Sequence, residues 1–132
     1  SKILIPKSVG LCDVATFKNC VNLTSIVFED GGDVPLYVGG DLWLENTQVT
    51  ILVLPFKTYR IRGYWRRGSN LNTLYVKSTI PPILEHGWGD NPDTCDLYVP
   101  IGCKEVYASA TNWGSFRTIT EYDFDLNPNN VH

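Results

Sequence analysis

The chain has 132 residues, of which 43% are hydrophobic and 19% charged, and its formal net charge is −3. This length and composition are typical of one folded domain with a real core and exclude a disordered chain. The acidic balance gives no electrostatic case for nucleic-acid binding. No apolar run reaches the roughly 18 residues that a membrane-spanning helix needs. The sequence has no Met and opens inside a strand-like phrase, so we expect a processed chain from which any export signal has been removed.

A short apolar phrase of the form L-x-x-L-x-L, in which L is any large apolar residue, recurs along the chain. It occupies residues 23–28, 49–54 and 71–76, and shorter versions occur nearer the two ends. The gaps between successive middle positions are 23, 26, 22, 23 and 22 residues, and these positions are Ile3, Ile26, Leu52, Leu74, Leu97 and Ile119. A period in the twenties with one short strand per unit predicts a leucine-rich-repeat solenoid. Such a solenoid is usually a surface for binding.

The alternation within each phrase predicts which side chains are buried. The last two apolar residues point to one face, and the residue between them points to the other. We expect a β-dominated α/β fold, with about five to six short strands in a single-faced parallel sheet and few short helices. Two buried columns are predicted, formed by Ile26, Phe28, Leu52, Leu54, Leu74, Val76, Leu97 and Val99. The outward ladder is predicted to contain Leu4, Val27, Val53, Tyr75, Tyr98 and Thr120.

The connections between strands are too short for full helices except in two places. Residues 13–18 can form a helical turn, and Lys104 to Ala110 is the best helix. Its apolar stripe of Val106, Tyr107 and Ala110 is expected to face inward. From residue 123 the chain is polar and is expected to fray. The predicted organisation is a solenoid over 1–126, closed by a unit at 97–124, and a flexible tail over 127–132.

The two ends of the predicted array differ. The helix, Trp113 and Phe116 are expected to close the C-terminal end, as repeat arrays require. The strand Ile3–Ile5 is expected to form an open sheet edge, and unpaired edges recruit other chains. We therefore predict self-association through residues 2–6, or further repeats before them in the native protein.

Two segments resemble a known family. Residues 15–26, with the sequence ATFKNCVNLTSI, are similar to the "AF..C.NLTSI" phrase of Bacteroides surface antigens, the BspA-like leucine-rich repeats. Residues 97–107 and 112–116 resemble the unit that closes such arrays. The resemblance covers 1–26 and 70–124, whereas 29–68 depart from the pattern. It implies a secreted or cell-surface bacterial protein that contacts a host or bacterial protein or glycan, with no catalytic residues to transfer.

The four cysteines, Cys12, Cys20, Cys95 and Cys103, form two pairs with a spacing of eight residues. The spacing fits no zinc signature, since there is no C-x-x-C motif. One interpretation is two structural disulfides in an exported protein. The other is that Cys20 and Cys103 are small buried hydrophobic residues. The resemblance favours a buried thiol for Cys20 and leaves a Cys95–Cys103 bridge open.

Sequence features of enzymes, metals and cofactors are absent or weak. The chain has only two histidines, His86 and His132, which cannot supply a metal cluster or a convincing triad. No glycine loop has the helix and lysine of a phosphate site. Residues 90–96 contain three aspartates that could hold calcium, but they lack the EF-hand spacing, and an Asn-Pro-Asp turn is the simpler interpretation. We therefore expect no enzyme activity, no cofactor and no metal.

Two surface features are candidate ligand sites. The first is Tyr75 beside Tyr98 on the outward ladder, where rigid tyrosines suit protein or sugar ligands. The alternative is a cross-strand pair that stabilises the sheet and is covered by a loop.

The second feature is the segment 59–67, with four arginines, two tyrosines and a tryptophan. Its candidate residues could bind a carboxylate-bearing glycan or an acidic protein through bidentate contacts, and they are Tyr59, Arg60, Arg62, Trp65, Arg66 and Arg67. The alternative is a strand whose Tyr59 and Ile61, with Tyr64 as a further candidate, pack inward while the arginines are solvated. The predicted function is a non-catalytic extracellular binding or adhesion module. A purely structural repeat or terminal cap is the other candidate, and a small hydrolase is disfavoured by the histidine count.

Overall fold

The structure is a computed structural model. It describes residues 2–13, 17, 19–39, 44–62, 69–85, 88 and 92–125. These residues contain ten short strands and one helix, α1. The helix spans Lys104–Ser109, and a 3-10 turn spans Pro92–Thr94. The strands are β1 Lys2–Ile5, β2 Leu11–Asp13, β3 Ser25–Phe28, β4 Leu36–Gly39, β5 Ile51–Leu54, β6 Thr58–Arg62, β7 Thr73–Val76, β8 Ile83–Glu85, β9 Asp96–Pro100 and β10 Thr118–Tyr122.

The strands form two parallel sheets that coil as a solenoid. The first sheet has six strands in the order β1-β3-β5-β7-β9-β10, and the second has four in the order β2-β4-β6-β8. The pairs in the first sheet place Ile3 beside Ile26, Leu52 beside Leu74, and Leu97 beside both Leu74 and Ile119. The register predicted from the repeat is therefore confirmed, and so is the solenoid fold.

The core lies between the two sheets. The eight side chains predicted to be inward are all at most 4% exposed. The first apolar residue of each phrase is buried as well, since Leu23, Val49 and Leu71 are at most 3% exposed. Burial at the same positions in each turn explains why the sheet stacks in register: a slip of one residue would place the whole apolar column in water.

The second sheet is an addition that the repeat phrase did not predict. Its strands follow the first-sheet strands after short turns, and its inward residues Leu36, Val38 and Ile61 are at most 1% exposed. These side chains cover the core from the side opposite the first sheet. The apolar alternation is short here, three to five residues in each strand, which is why it is weak as a sequence pattern.

The C-terminal unit predicted to close the array packs into the core, and β10 forms the last strand of the first sheet. Trp113 is 1% exposed and Tyr107 is fully buried. Tyr107 Oη donates to Ser78 O at 2.7 Å, and Trp113 Nε1 donates to Pro82 O at 3.0 Å. One expectation for α1 is wrong: Val106 is 45% exposed. The short helix buries only Tyr107 fully. Its contact with the core is too narrow to bury Val106 as well.

The chain does not fray directly after β10, contrary to the expectation for residue 123 onward. Phe124 is half-buried, and its ring centroid lies 6.3 Å from that of Tyr75. The aromatic side chain holds residues 122–125 on the outer face of the first sheet. The predicted flexible tail, 127–132, lies outside the described residues, as does most of the helical turn predicted at 13–18.

The described cysteines are unbridged thiols. Cys95 and Cys103 are buried and Cys20 is half-buried. Cys20, Thr47 and Cys95 each close a turn, because each donates its backbone N–H to the carbonyl three residues earlier, at 3.0, 3.2 and 2.9 Å. The burial of Cys103 agrees with the buried-thiol interpretation, whereas Cys20 is only half-buried. Nothing is described of the Cys12 side chain.

Strand β1 lies at the edge of the first sheet, so the predicted open edge is present. Among the described residues, no helix has both the length and the hydropathy to cross a bilayer.

Candidate functional site

The two candidate tyrosines on the first sheet form a stacked pair. Tyr75 and Tyr98 are register partners on β7 and β9, and their ring centroids lie 4.6 Å apart with an interplanar angle of 15°. Parallel pairing of consecutive rungs brings the two rings to the strand spacing. The predicted adjacency is confirmed.

The C-terminal segment packs against this pair. The Tyr122 ring meets Tyr75 edge-on at 5.3 Å and Tyr98 at 5.9 Å, and Phe124 adds a further contact with Tyr75. Burial, followed by the neighbouring tyrosines Tyr98 and Tyr122, raises the pKa of Tyr75. Both rings are half-buried, so this arrangement has the features of the structural alternative, in which a chain segment covers a stabilising aromatic pair.

The second candidate segment begins as strand β6. Ile61 is fully buried, as the solvated-strand alternative expected, but Tyr59 is 46% exposed and does not pack inward. A register irregularity between β4 and β6 gives the inward position to Thr58, which is 2% exposed. Arg62 is exposed, and Arg60 is half-buried. Trp65, Arg66 and Arg67 lie outside the described residues.

Arg60 belongs to a network that crosses three strands of the second sheet. Its guanidinium carbon lies 5.5 Å from the centroid of the Tyr37 ring, and its Nε forms an ion pair with Glu85. Tyr37 Oη donates to Glu85 Oε1 at 2.8 Å. The Tyr59 ring meets Tyr37 edge-on at 6.3 Å. We call Tyr37, Tyr59, Arg60, Arg62 and Glu85 the outer row.

The register of the second sheet explains this arrangement. Tyr37 on β4 pairs with Arg60 on β6, and Arg62 pairs with Glu85 on β8. Side chains that alternate along parallel strands share one face. The hydrogen bond to Glu85 is the largest cause of a raised pKa at Tyr37, since the neutral phenol is the donor, and burial adds to it. Tyr37 therefore stays neutral and keeps its hydrogen bond at physiological pH.

The sequence analysis missed Tyr37 and Glu85. A signal for Tyr37 existed, because it is flanked by the apolar Leu36 and Val38 and precedes Tyr59 by one repeat period. Glu85 carries no such signal: only the sheet register brings it to Tyr37.

The chemistry of the outer row suits recognition of polar, planar groups. The outer row contains two arginines but one glutamate, so its formal charge is positive. Arg62 has no hydrogen-bonding or ionic partner among the described residues. A guanidinium can bind a carboxylate in a bidentate manner, and exposed tyrosine rings add amphipathic contact area at low entropic cost. The row is therefore rigid on its Arg60 side and open on its Arg62 side.

The acidic segment at residues 90–96, for which an Asn-Pro-Asp turn is the simpler interpretation, contains the 3-10 turn at Pro92–Thr94. Asp96 Oδ1 and Oδ2 accept hydrogen bonds from Arg117, both at 2.9 Å, and Oδ1 accepts another from Thr118. These bonds engage the carboxylate within the fold. No group of three potential metal ligands is present in the part of the chain that the structure describes.

Comparison with known proteins adds no further identification. No protein-family model matches the sequence, and no curated protein shows a significant match to it. The BspA-like assignment thus stays a prediction from the sequence resemblance.

Proposed function

We propose that this chain is a non-catalytic binding or adhesion module of a secreted or cell-surface protein, and that the outer row contacts its protein or glycan ligand. The observation that carries the proposal is the alignment of Tyr37, Tyr59, Arg60 and Arg62 on one face of the second sheet. Solenoids present such faces as rigid binding surfaces. The BspA-like resemblance supports the extracellular setting.

The outer row is preferred to the tyrosine pair for a structural reason. Tyr75 and Tyr98 are packed under the chain's own Tyr122 and Phe124, so a ligand would compete with intramolecular contacts. Tyr59 and Arg62 are exposed and need no displacement. Binding surfaces that are ordered before the ligand arrives lose less entropy on association.

A glycan array that includes uronic-acid and sialylated sugars, together with a panel of acidic proteins, tests the proposal. We expect binding that weakens by about fivefold or more in Arg62→Ala and Tyr59→Ala. Lys104→Ala is the matched control, because it removes one positive charge from an exposed site at the start of α1. Tyr75→Ala should have a smaller effect than Tyr59→Ala. A bound ligand whose affinity is unchanged in both outer-row variants would rule out this surface.

A purely structural role is the second candidate, and the covered tyrosine pair favours it. The stacked rings and the closed C-terminal end are what a repeat array needs for stability at its terminus. Absence of binding across both panels, with the parent protein fully folded, would favour this role.

A further inference from the structure

A cleft of about 620 Å³ opens at the corner where the chain turns from the first sheet to the second. It lies between the turns of three successive rungs, and we call it the corner cleft. Four of its lining side chains are unusually exposed for large apolar residues: Phe56 at 67%, Ile80 at 76%, Ile83 at 60% and Tyr59 at 46%. Their convergence forms an apolar patch of the kind that marks an interaction site. The volume is within the range of roughly 300–1,000 Å³ that ligand pockets occupy.

The turn that forms one wall of the corner cleft is held in place. Ser78 Oγ donates to Ile80 O at 2.6 Å within the turn. The closing unit anchors the same turn from behind, through the hydrogen bonds from Tyr107 to Ser78 and from Trp113 to Pro82 already described. Ile80 is thus exposed because the turn is fixed in that position. A site prepared in this way loses little entropy when it is filled.

Two polar groups in the corner cleft lack partners. Thr58 Oγ1 is a buried hydroxyl oxygen with no hydrogen-bond partner in the described structure, and a buried polar atom left unsatisfied is costly. Asp33 is an exposed carboxylate with no ion pair or hydrogen bond among the described residues. Lys57 also lines the cleft and keeps its positive charge, but its Nζ donates to Lys7 O and not to Asp33. Asp33 is therefore a carboxylate at the rim of the cleft that is not paired with a side chain of the described residues.

We propose that the corner cleft binds a bulky apolar side chain of a protein partner, with a Lys or Arg of that partner facing Asp33. This inference rests on the proposed binding function and narrows its ligand to a protein at this site. Branched aliphatic walls such as Ile80 and Ile83 match a Leu, Ile or Phe anchor. The exposed lining is mainly apolar and offers few of the polar groups that the hydroxyls of a sugar require. The carboxylate supplies the charge complementarity.

Selection from a displayed library of random peptides on the immobilised chain tests this proposal. We expect enriched peptides to share a bulky apolar residue close to a Lys or Arg. Synthetic copies should lose about tenfold in affinity for Phe56→Ser and for Ile80→Ser, measured by fluorescence polarisation. Asp33→Asn should weaken them by about twofold to fivefold and reduce the salt dependence of binding. Val21→Ser is the matched control, since Val21 is 58% exposed and does not line the cleft.

Thermal unfolding of each variant separates lost binding from lost folding, and the two apolar variants provide independent readings. Amide chemical-shift changes on peptide addition should centre on the turns at 55–58 and 78–83. Peptides that bind Phe56→Ser and Ile80→Ser as well as the parent would overturn the corner cleft. If binding of the same peptides, or of the glycans of the array, depends on Arg62 instead, the outer row is supported as the binding surface and the corner cleft is ruled out. Failure of all peptides, proteins and glycans to bind would refute both proposals.

Discussion

Tyr75 and Tyr98 stack with ring centroids 4.6 Å apart, and the C-terminal segment closes over them. The stack follows from their equivalence in consecutive repeats, whereas the cover comes from Tyr122 and Phe124, which lie beyond the last repeat phrase. Lys77 strengthens the cover, since its Nζ lies 5.9 Å from the Phe124 ring centroid and forms an ion pair with Asp30. The tyrosine pair that the repeat places on the outer face is thus partly covered by a later segment of the same chain.

The first prediction concerns this cover. Burial disfavours the phenolate and raises the pKa of Tyr75, so Phe124→Ala should lower that pKa toward its ordinary value by admitting water. The pKa is measured by NMR titration of ring-labelled tyrosine. Phe56→Ala is the control, because it removes an exposed phenylalanine elsewhere and should leave the Tyr75 titration unchanged. An unaltered pKa in Phe124→Ala would contradict the cover.

The second prediction concerns the core. Leu74 is fully buried between rungs on both sides, so Leu74→Ala should lower the free energy of unfolding by about 2–5 kcal/mol. Neighbouring rungs limit collapse into the cavity. Denaturant unfolding measures the change, and Ile101→Ala, at a 63% exposed site, serves as the control. A loss within about 0.5 kcal/mol of the parent would be incompatible with the register.

The third prediction compares two glycines with positive φ. Gly32 has φ of +75°, and a Cβ there would lie 2.9 Å from Lys7 O. Gly102 has φ of +85°, and a Cβ there would meet nothing within 4 Å. Left-handed backbone costs a residue with a side chain about 1–2 kcal/mol, so both alanine variants should be destabilised. Gly32→Ala should lose more, because backbone must also move. Equal losses in urea unfolding would show that the turn at Gly32 adjusts freely.

The fourth prediction concerns acid stability. Hydrogen bonds from Arg117 hold the pKa of Asp96 below its ordinary value; burial opposes them, and a smaller effect of the hydrogen bond from Thr118 adds to the lowering. Because the folded pKa is the lower one, the ionised carboxylate stabilises the fold above the ordinary pKa, and this contribution is lost as pH falls toward the folded value. The stability difference between the parent and Asp96→Asn should therefore shrink in acid. A difference that grows below pH 4 would have the wrong sign.

The fifth prediction concerns the N-terminal edge. Strand β1 has an unpaired side and Leu4 is 57% exposed, so we expect concentration-dependent self-association through residues 2–6. Leu4→Lys should reduce it, because charge on an edge strand opposes pairing. Val21→Lys, at an exposed site outside the sheet, should not. Light scattering reports the mass, and a strict monomer at high concentration in the parent would contradict this prediction.

The repeat phrase determined the first sheet in detail. Positions such as Ile26, Leu52 and Leu74 recur with one period, and a strand buried on one face tolerates no slip of register. The inward columns and the outward tyrosines could therefore be read from spacing alone. Each rung places apolar side chains at the same positions, so the core has the same period as the sequence.

The tertiary structure alone decided what surrounds that sheet. The outer row depends on a register irregularity that turns Thr58 inward and Tyr59 outward, and Glu85 reaches Tyr37 from 48 residues away. The corner cleft brings together Phe56 and Ile80, which belong to neighbouring rungs. In a solenoid, side chains in contact are separated by a whole repeat of chain, and turns differ in length from one repeat to the next. A single sequence records the shared period, but the position of each turn is settled only when the rungs pack against one another.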